Sequence, residues 1–256
     1  MTRVIGIIQA RMTSTRLPGK ILKLIHNKTF LELIIRRLQR SNILTDIVLA
    51  VPENNSSDPL VRFATKLDFN IVFGSENNLI NRYFKAANMY DADYIVRVTS
   101  DCPFVDPILI DEMANMIFRS DLDFVTNVCP PTWPDGLDIT IFSRETLNKT
   151  KKYAKLDSER EHVVPWMWNN SNLKEKKRLK GYNFTAPSNL SNYRWTLDDK
   201  LDLEFFKSVS KKLSWQELVK MSWKEFILFF KDKNDITMIN SYTQRDQGYL
   251  KSLSED

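Results

Sequence analysis

Through the first 130 residues, short apolar runs of strand type alternate with segments of helical spacing, which confines the chain to an α/β fold on a mostly parallel, doubly wound sheet. Val4-Ile5-Gly6-Ile7-Ile8 opens the pattern as a continuous apolar run, the form expected of a strand covered on both faces. Thr29 has the chemistry of an N-cap for a helix in which Phe30, Leu33, Ile34 and Leu38 share one face. Further strands are predicted at 46–51, 70–73, 94–99 and 123–127, with helices at 58–67, 77–90 and 106–119 between them. A sheet wound this way binds ligands beyond the C-terminal ends of its strands.

After residue 127 the rhythm changes. A Pro-rich loop at 128–136 leads to a strand at 137–142 and a helix from Ser143. Residues 159–168 carry a helical pattern, and 174–184 mix a basic run with Tyr182 and Phe184, as an excursion from the main sheet would. The core pattern returns as a short strand at 193–197, followed by helices at 199–213 and 222–231 and a polar end, SYTQRDQGYLKSLSED, expected to be mobile. We expect one domain over 1–256, with a small insertion or dimerisation region at about 130–190 and a helical C-terminal region at about 199–256.

Composition removes several classes. At 43% hydrophobic and 27% charged the chain is globular, and its net charge of +5 suits a small anion as well as a nucleic acid. Cys102 and Cys129, with His26 and His162, form no zinc or disulfide pattern, which points to a reducing cytoplasm. Neither a signal peptide nor an apolar stretch of about 18 residues is present, so no membrane is expected. The run Lys174-Glu175-Lys176-Lys177-Arg178-Leu179-Lys180 reads as an exposed edge guarded by lysines, and no nucleic-acid partner is expected. His26 reads as an exposed surface histidine.

The six glycines cannot spell GxGxxG, and Gly19-Lys20 lacks the first glycine and the Ser/Thr of a P-loop. The first strand is followed instead by Gln9-Ala10-Arg11-Met12-Thr13-Ser14-Thr15-Arg16-Leu17-Pro18-Gly19-Lys20. Its cations, hydroxyls and Pro-Gly turn suit a polyphosphate, though a solvated basic loop has the same composition. At the end of a predicted central strand stands Arg97-Val98-Thr99-Ser100-Asp101-Cys102-Pro103, where Asp101 would either hold Mg²⁺ on nucleotide phosphates or cap a turn. Arg194-Trp195-Thr196-Leu197-Asp198-Asp199 offers a second hard oxygen in Asp198, while Asp199 suits a helix cap.

The ordered set IIQARMTSTRLPGKIL, NNLINRYFKAA, RVTSDCPFVDP, PDGLDITIFS, EREHVVPW and RWTLDDKLDLEFF resembles the cytidylyltransferase family of the spore-coat polysaccharide biosynthesis protein SpsF. That family is related to the synthetases of CMP-sialic acid and CMP-Kdo, and the resemblance covers residues 4 to about 206. It implies a nucleotidyltransferase fold of GT-A-like type, use of CTP with Mg²⁺, and a homodimer. It places Ala10, Arg11, Ser14, Thr15, Arg16 and Lys20 around the triphosphate and Arg82 beside the nucleotide. Asn81 departs from the Asp of the family's Asp-Arg pair. Asp101 matches the metal-binding carboxylate and Asp198 a second ligand, although the Thr-Pro of the family's Asp-Thr-Pro-Glu-Asp stretch is missing here.

On the acceptor side the same resemblance points to Asp138, Arg160, His162 and Arg194 as sugar-binding residues, with a dimer contact as the competing role for Arg160 and His162. The activity implied is metal-dependent transfer of CMP from CTP to a sugar, in particular an acidic one, with Arg11, Lys20 and Asp101 as catalytic residues. A GT-A glycosyltransferase needs an Asp-x-Asp at a strand end; Asp91-Ala92-Asp93 has the spelling but precedes its strand. A noncatalytic binding protein that kept the fold is the remaining alternative.

Overall fold

A computed structural model describes residues 2–256. In chain order its first elements are β1 (Val4–Gln9), the short strands β2 (Leu24–Ile25) and β3 (Lys28–Thr29), α1 (Phe30–Leu38), β4 (Asp46–Pro52), α2 (Asp58–Lys66), β5 (Ile71–Gly74), α3 (Leu79–Met89), β6 (Tyr94–Thr99) and α4 (Pro107–Phe118). Then come β7 (Phe124–Thr126), β8 (Ile139–Ser143), α5 (Arg144–Tyr153), α6 (Asp157–His162), α7 (Pro165–Asn169) and β9 (Gly181–Asn183). The chain closes with α8 (Lys200–Ser210), α9 (Trp215–Lys220), α10 (Trp223–Phe230), α11 (Asn234–Thr237) and α12 (Gln247–Glu255).

The apolar opening run becomes the centre of a seven-stranded sheet ordered β5-β4-β1-β6-β8-β7-β9, in which β8 alone runs antiparallel to its neighbours. Both faces of β1 are covered. Val4 and Ile8 join one apolar layer with Leu33, Leu109 and Phe206, whereas Ile5 and Ile7 join a second with Tyr83, Ala87 and Trp166. Each such side chain contributes about 1.5–3 kcal/mol on burial, which favours apolar residues on both faces of β1. From β1 the chain winds outward through β4 and β5, then returns to β6 on the other side of β1. Gln9 and Thr99, partners in register, therefore end two neighbouring strands at the point where the winding reverses, and a crevice opens beyond them.

Caps mark the helix starts that the sequence suggests. Thr29 accepts from the Glu32 amide, Asp106 from the amides of Ile108 and Leu109, and Asp199 from that of Asp202. Arg37 is fully buried yet satisfied, since it donates to the carbonyls of Phe104, Val105 and Leu218 and so ties α1 to the segments after β6 and α9.

Four sequence expectations are corrected. Segment 194–197 is buried and Tyr193 half-buried, but only Arg194 bridges another segment, at Asp135, so no strand forms. Gly136 permits that approach: it sits at φ 106°, and a Cβ there would lie 2.5 Å from the Trp195 carbonyl. The excursion at 174–184 ends in β9, which pairs with β7 as the outer strand of the main sheet. The helix expected at 159–168 is broken at Val163, whose φ is 69°. The polar end, expected to be mobile, instead forms α12 and packs on α6.

Candidate active site

The crevice beyond β1 and β6 encloses about 730 Å³. Its floor begins where β1 ends, with the loop from Ala10 folding back on itself: the Gly19 amide donates to the Met12 carbonyl at 3.3 Å, and Gly19 takes a left-handed φ of 64°. That turn aims Lys20 inward. Its Nζ lies 2.6 Å from Asp198 Oδ1 and 3.3 Å from Asp101 Oδ2, and only 9% of the residue is exposed. Arg16 reaches the other Asp198 oxygen at 3.2 Å, and Arg11 meets Glu161 of α6 at 3.1 Å. Each loop cation thus faces a carboxylate.

Backbone bonds hold the two aspartates in place. The Asp101 carbonyl accepts from the Thr196 hydroxyl at 2.9 Å and from the Leu197 amide at 2.8 Å, which pins segment 193–198 to the end of β6. Asp202, fully buried at the start of α8, accepts from the Asp198 amide at 2.8 Å and from the Asp199 amide at 3.1 Å. Burial opposes ionisation of Asp101, but the Lys20 ammonium and the Thr99 hydroxyl outweigh it and hold the carboxyl well below the usual carboxylate range. Burial alone would lower the Lys20 pKa; Asp101 and Asp198 together raise it, so the ammonium stays charged.

The opposite wall carries Asp138, His162 and α12. Burial pushes the Asp138 carboxyl up to about 6 against the pull of Arg245, whose Nη2 lies 2.5 Å away. Burial and then the neighbouring Arg97 charge bring His162 down to about 4, with Glu161 pulling the other way, so the ring is neutral at neutral pH. Ser252 of α12 joins His162 Nε2 at 3.1 Å and donates to Glu161 at 2.9 Å, while Gln247 accepts from Arg16 at 2.9 Å.

Of the residues singled out by sequence, Ala10, Arg11, Ser14, Thr15, Arg16 and Lys20 line the crevice, as do Arg82, Asp101, Asp138, His162 and Asp198. Arg82 is buried and bonded to the Ala50 carbonyl. Two acceptor-side residues do not arrive. Arg194 is consumed by a buried network, with both Asp202 oxygens at 2.9 Å and Asp135 at 2.6 Å, and Arg160 faces a separate small depression beside Asn81, paired with Asp157. Arg97, Glu161 and residues of α12 are additions to the lining, and Arg245 reaches the wall through Asp138; Arg97 and Glu161 sit inside quoted motifs, whereas α12 left no motif at all.

Among the described residues no three His, Cys, Asp or Glu side chains converge as a metal cage. Asp101 and Asp198 nevertheless share one cation, the Lys20 ammonium, between hard oxygens. That arrangement fits Mg²⁺, which is bound by one or two carboxylates with waters and substrate phosphates completing its shell.

A sheet reversal flanked by a cationic loop and paired carboxylates, at the strand ends of this topology, defines a nucleotidyltransferase. A family profile described as cytidylyltransferase matches residues 5–221. The solved structure of a cytidylyltransferase from Leptospira borgpetersenii is 33% identical, with TM-score 0.85 over 95% of this chain and 99% of that one. The spore coat polysaccharide biosynthesis protein SpsF of Bacillus subtilis is 30% identical over 83% of this chain and 88% of its own. The 3-deoxy-manno-octulosonate cytidylyltransferase of Leptospira interrogans is 30% identical over 45% of this chain and 47% of its own. The chain belongs to the cytidylyltransferase family and is a CTP-using enzyme.

Proposed function

We propose that this enzyme transfers CMP from CTP to the hydroxyl of a sugar acid and releases pyrophosphate, in the making of a surface glycan. The observation that carries the reading is the meeting of Lys20, Asp101 and Asp198 at one point, with Arg11 and Arg16 beside them. In the reaction, Arg11, Arg16 and Lys20 exchange their carboxylate partners for phosphate oxygens and stabilise the departing pyrophosphate. Ser14 and Thr15 add hydroxyl donors, and the Ala10 backbone borders the nucleotide. Once Lys20 turns to the phosphates, Asp101 and Asp198 are the residues that would hold Mg²⁺. Bound there, the metal would neutralise phosphate charge and make the acceptor hydroxyl more acidic. The chain's own task is alignment: the acceptor oxygen must lie in line with the α-phosphorus and the leaving group.

Asp138 and His162 border the acceptor side in this reading, Arg82 supports the nucleotide side, and the resemblance to 3-deoxy-manno-octulosonate cytidylyltransferases supports an acidic acceptor. The same reading takes the enzyme as a cytoplasmic homodimer. No helix among the described residues is long and apolar enough to cross a membrane. The test is pyrophosphate release with CTP, ATP, GTP and UTP against sugar acids and sugar phosphates with Mg²⁺. CTP with a sugar acid should be the productive pair; equal rates with all four nucleotides would sink the reading.

A further inference from the structure

Arg97 is the one arginine lining the crevice that has neither a side-chain hydrogen bond nor an ion pair among the described residues, and its Nε is buried. Arg11 is held by Glu161, Arg16 by Asp198 and Arg82 by the Ala50 carbonyl. Arg97 stands on β6 with Ile7 of β1 and Thr140 of β8 as ladder neighbours. Val96 and Val98 turn into the layer of α1 and α4, so alternation along the strand places Arg97 on the face that carries Tyr83. Among the described residues no carboxylate forms an ion pair with it there. Ile7 is apolar, the Thr140 hydroxyl is bonded to Thr126, and the Tyr83 hydroxyl donates to Gln9. Asp138 on this wall is already taken by Arg245, and Glu161 by Arg11 and Ser252.

A half-buried guanidinium without a counter-charge is costly, and a fork of parallel N–H donors matches a carboxylate or phosphate in geometry as well as charge. The nucleotide phosphates have their own cations in the loop after β1, so the free charge of Arg97 is left for another anion. Its field agrees with this placement: it acts on His162, Tyr83 and Asp138, whereas Lys20 and Asp101 are governed chiefly by burial and by each other.

We propose that Arg97 is the residue that reads the acceptor's anionic group, taking the carboxylate of a sugar acid in its guanidinium fork and so setting the preference for acidic over neutral acceptors. This rests on the transfer reading above. It assigns a selectivity role to a side chain that does not touch the reacting atoms.

The test uses 3-deoxy-manno-octulosonate as probe, its methyl ester as the neutral control, and N-acetylneuraminate and a sugar 1-phosphate as the other anions. With the full chain, Arg97→Gln should raise the KM for the free acid by about tenfold or more, leave the KM for CTP within about twofold, and treat the ester as the wild type does. Arg97→Lys, which keeps the charge and loses the fork, should fall between. Binding of each probe beside a non-hydrolysable CTP analogue, followed by calorimetry with melting curves alongside, gives a readout independent of turnover. Loss of acid binding in Arg97→Gln with no pyrophosphate release in the wild type would keep the subsite and remove the transfer reading. The proposal is overturned if the acid-to-ester ratio is the same in wild type and variant, if the CTP KM rises tenfold instead, or if the wild type binds none of the three anions better than the ester.

Discussion

The Lys20 ammonium lies 2.6 Å from a carboxylate oxygen of Asp198, a residue 178 positions away along the chain. Since Asp101 shares the same ammonium, Lys20 is structural before it meets substrate. A lysine of a polar loop could be lost with little effect on stability, but this one is buried between two carboxylates. Replacing Lys20 with Met leaves Asp101 without its cation and Asp198 with Arg16 alone, and should destabilise the fold by about 2 kcal/mol. Mg²⁺ should then raise the melting temperature of Lys20→Met by more than it raises that of the wild type. Equal responses would show that the aspartates do not form a cation site.

Asp101→Asn and Asp198→Asn should each abolish turnover, and the double variant should be scarcely worse than either, as for groups that act as a unit. Turnover against Mg²⁺ concentration is the measurement. Near-normal activity in Asp198→Asn would pass the second role to another carboxylate, but Asp199 and Asp202 are committed to capping α8.

Protonation of His162 is opposed by its burial and by Arg97, which bring it from 6.5 to about 4. The sign follows directly: between pH 6.5 and about 4 the unfolded chain binds a proton here that the folded chain does not, so this group's contribution to stability is present above 6.5 and lost as pH falls toward 4. With two histidines in the sequence, ring proton shifts assigned by His26→Gln should show His162 still neutral at pH about 5.5. The His162→Gln variant should lose stability less steeply over that range. A midpoint near the ordinary histidine value would contradict the account.

Arg245 joins the end of the chain to the crevice wall through Asp138 and the Trp133 carbonyl. Arg245→Leu should cost about 2–3 kcal/mol, because it strands a buried carboxylate, and Asp138→Asn in the same chain should restore part of that. Urea unfolding of the two singles and the double decides it; additive losses would mean that the two residues do not act on each other.

The winding of the sheet was legible because its strands announce themselves as apolar runs, and the caps Thr29, Ser143 and Asp199 because each is a local hydrogen-bonding device. Segment 193–197 misled by the same logic. Tyr193, Trp195 and Leu197 alternate as in a strand, yet Trp195 packs between Phe104 and Phe226, Tyr193 lies half-buried against Trp195, and the segment forms no ladder. Arg194 looked free because a sequence displays a cation without its counter-charges, and Asp135 and Asp202 approach it only once the chain is folded. The position of α12 was hidden for a related reason. Gln247 and Ser252 dock through polar bonds to residues far away in sequence, and such bonds leave no periodic trace.

Arg194 also has a consequence for how the enzyme's selectivity can change. Its guanidinium clamps Asp135, three residues before the acceptor-side Asp138, to Asp202, which in turn fixes the backbone of Asp198 beside Lys20. A substitution that shifts the loop at Asp135 therefore reaches the phosphate side of the crevice through this tie. Adaptation toward a new sugar is cheapest at positions outside that tie, such as Arg97 and His162. In a lineage diverging toward other acceptors, those positions should drift first while Asp135, Arg194 and Asp202 travel as an unbroken set.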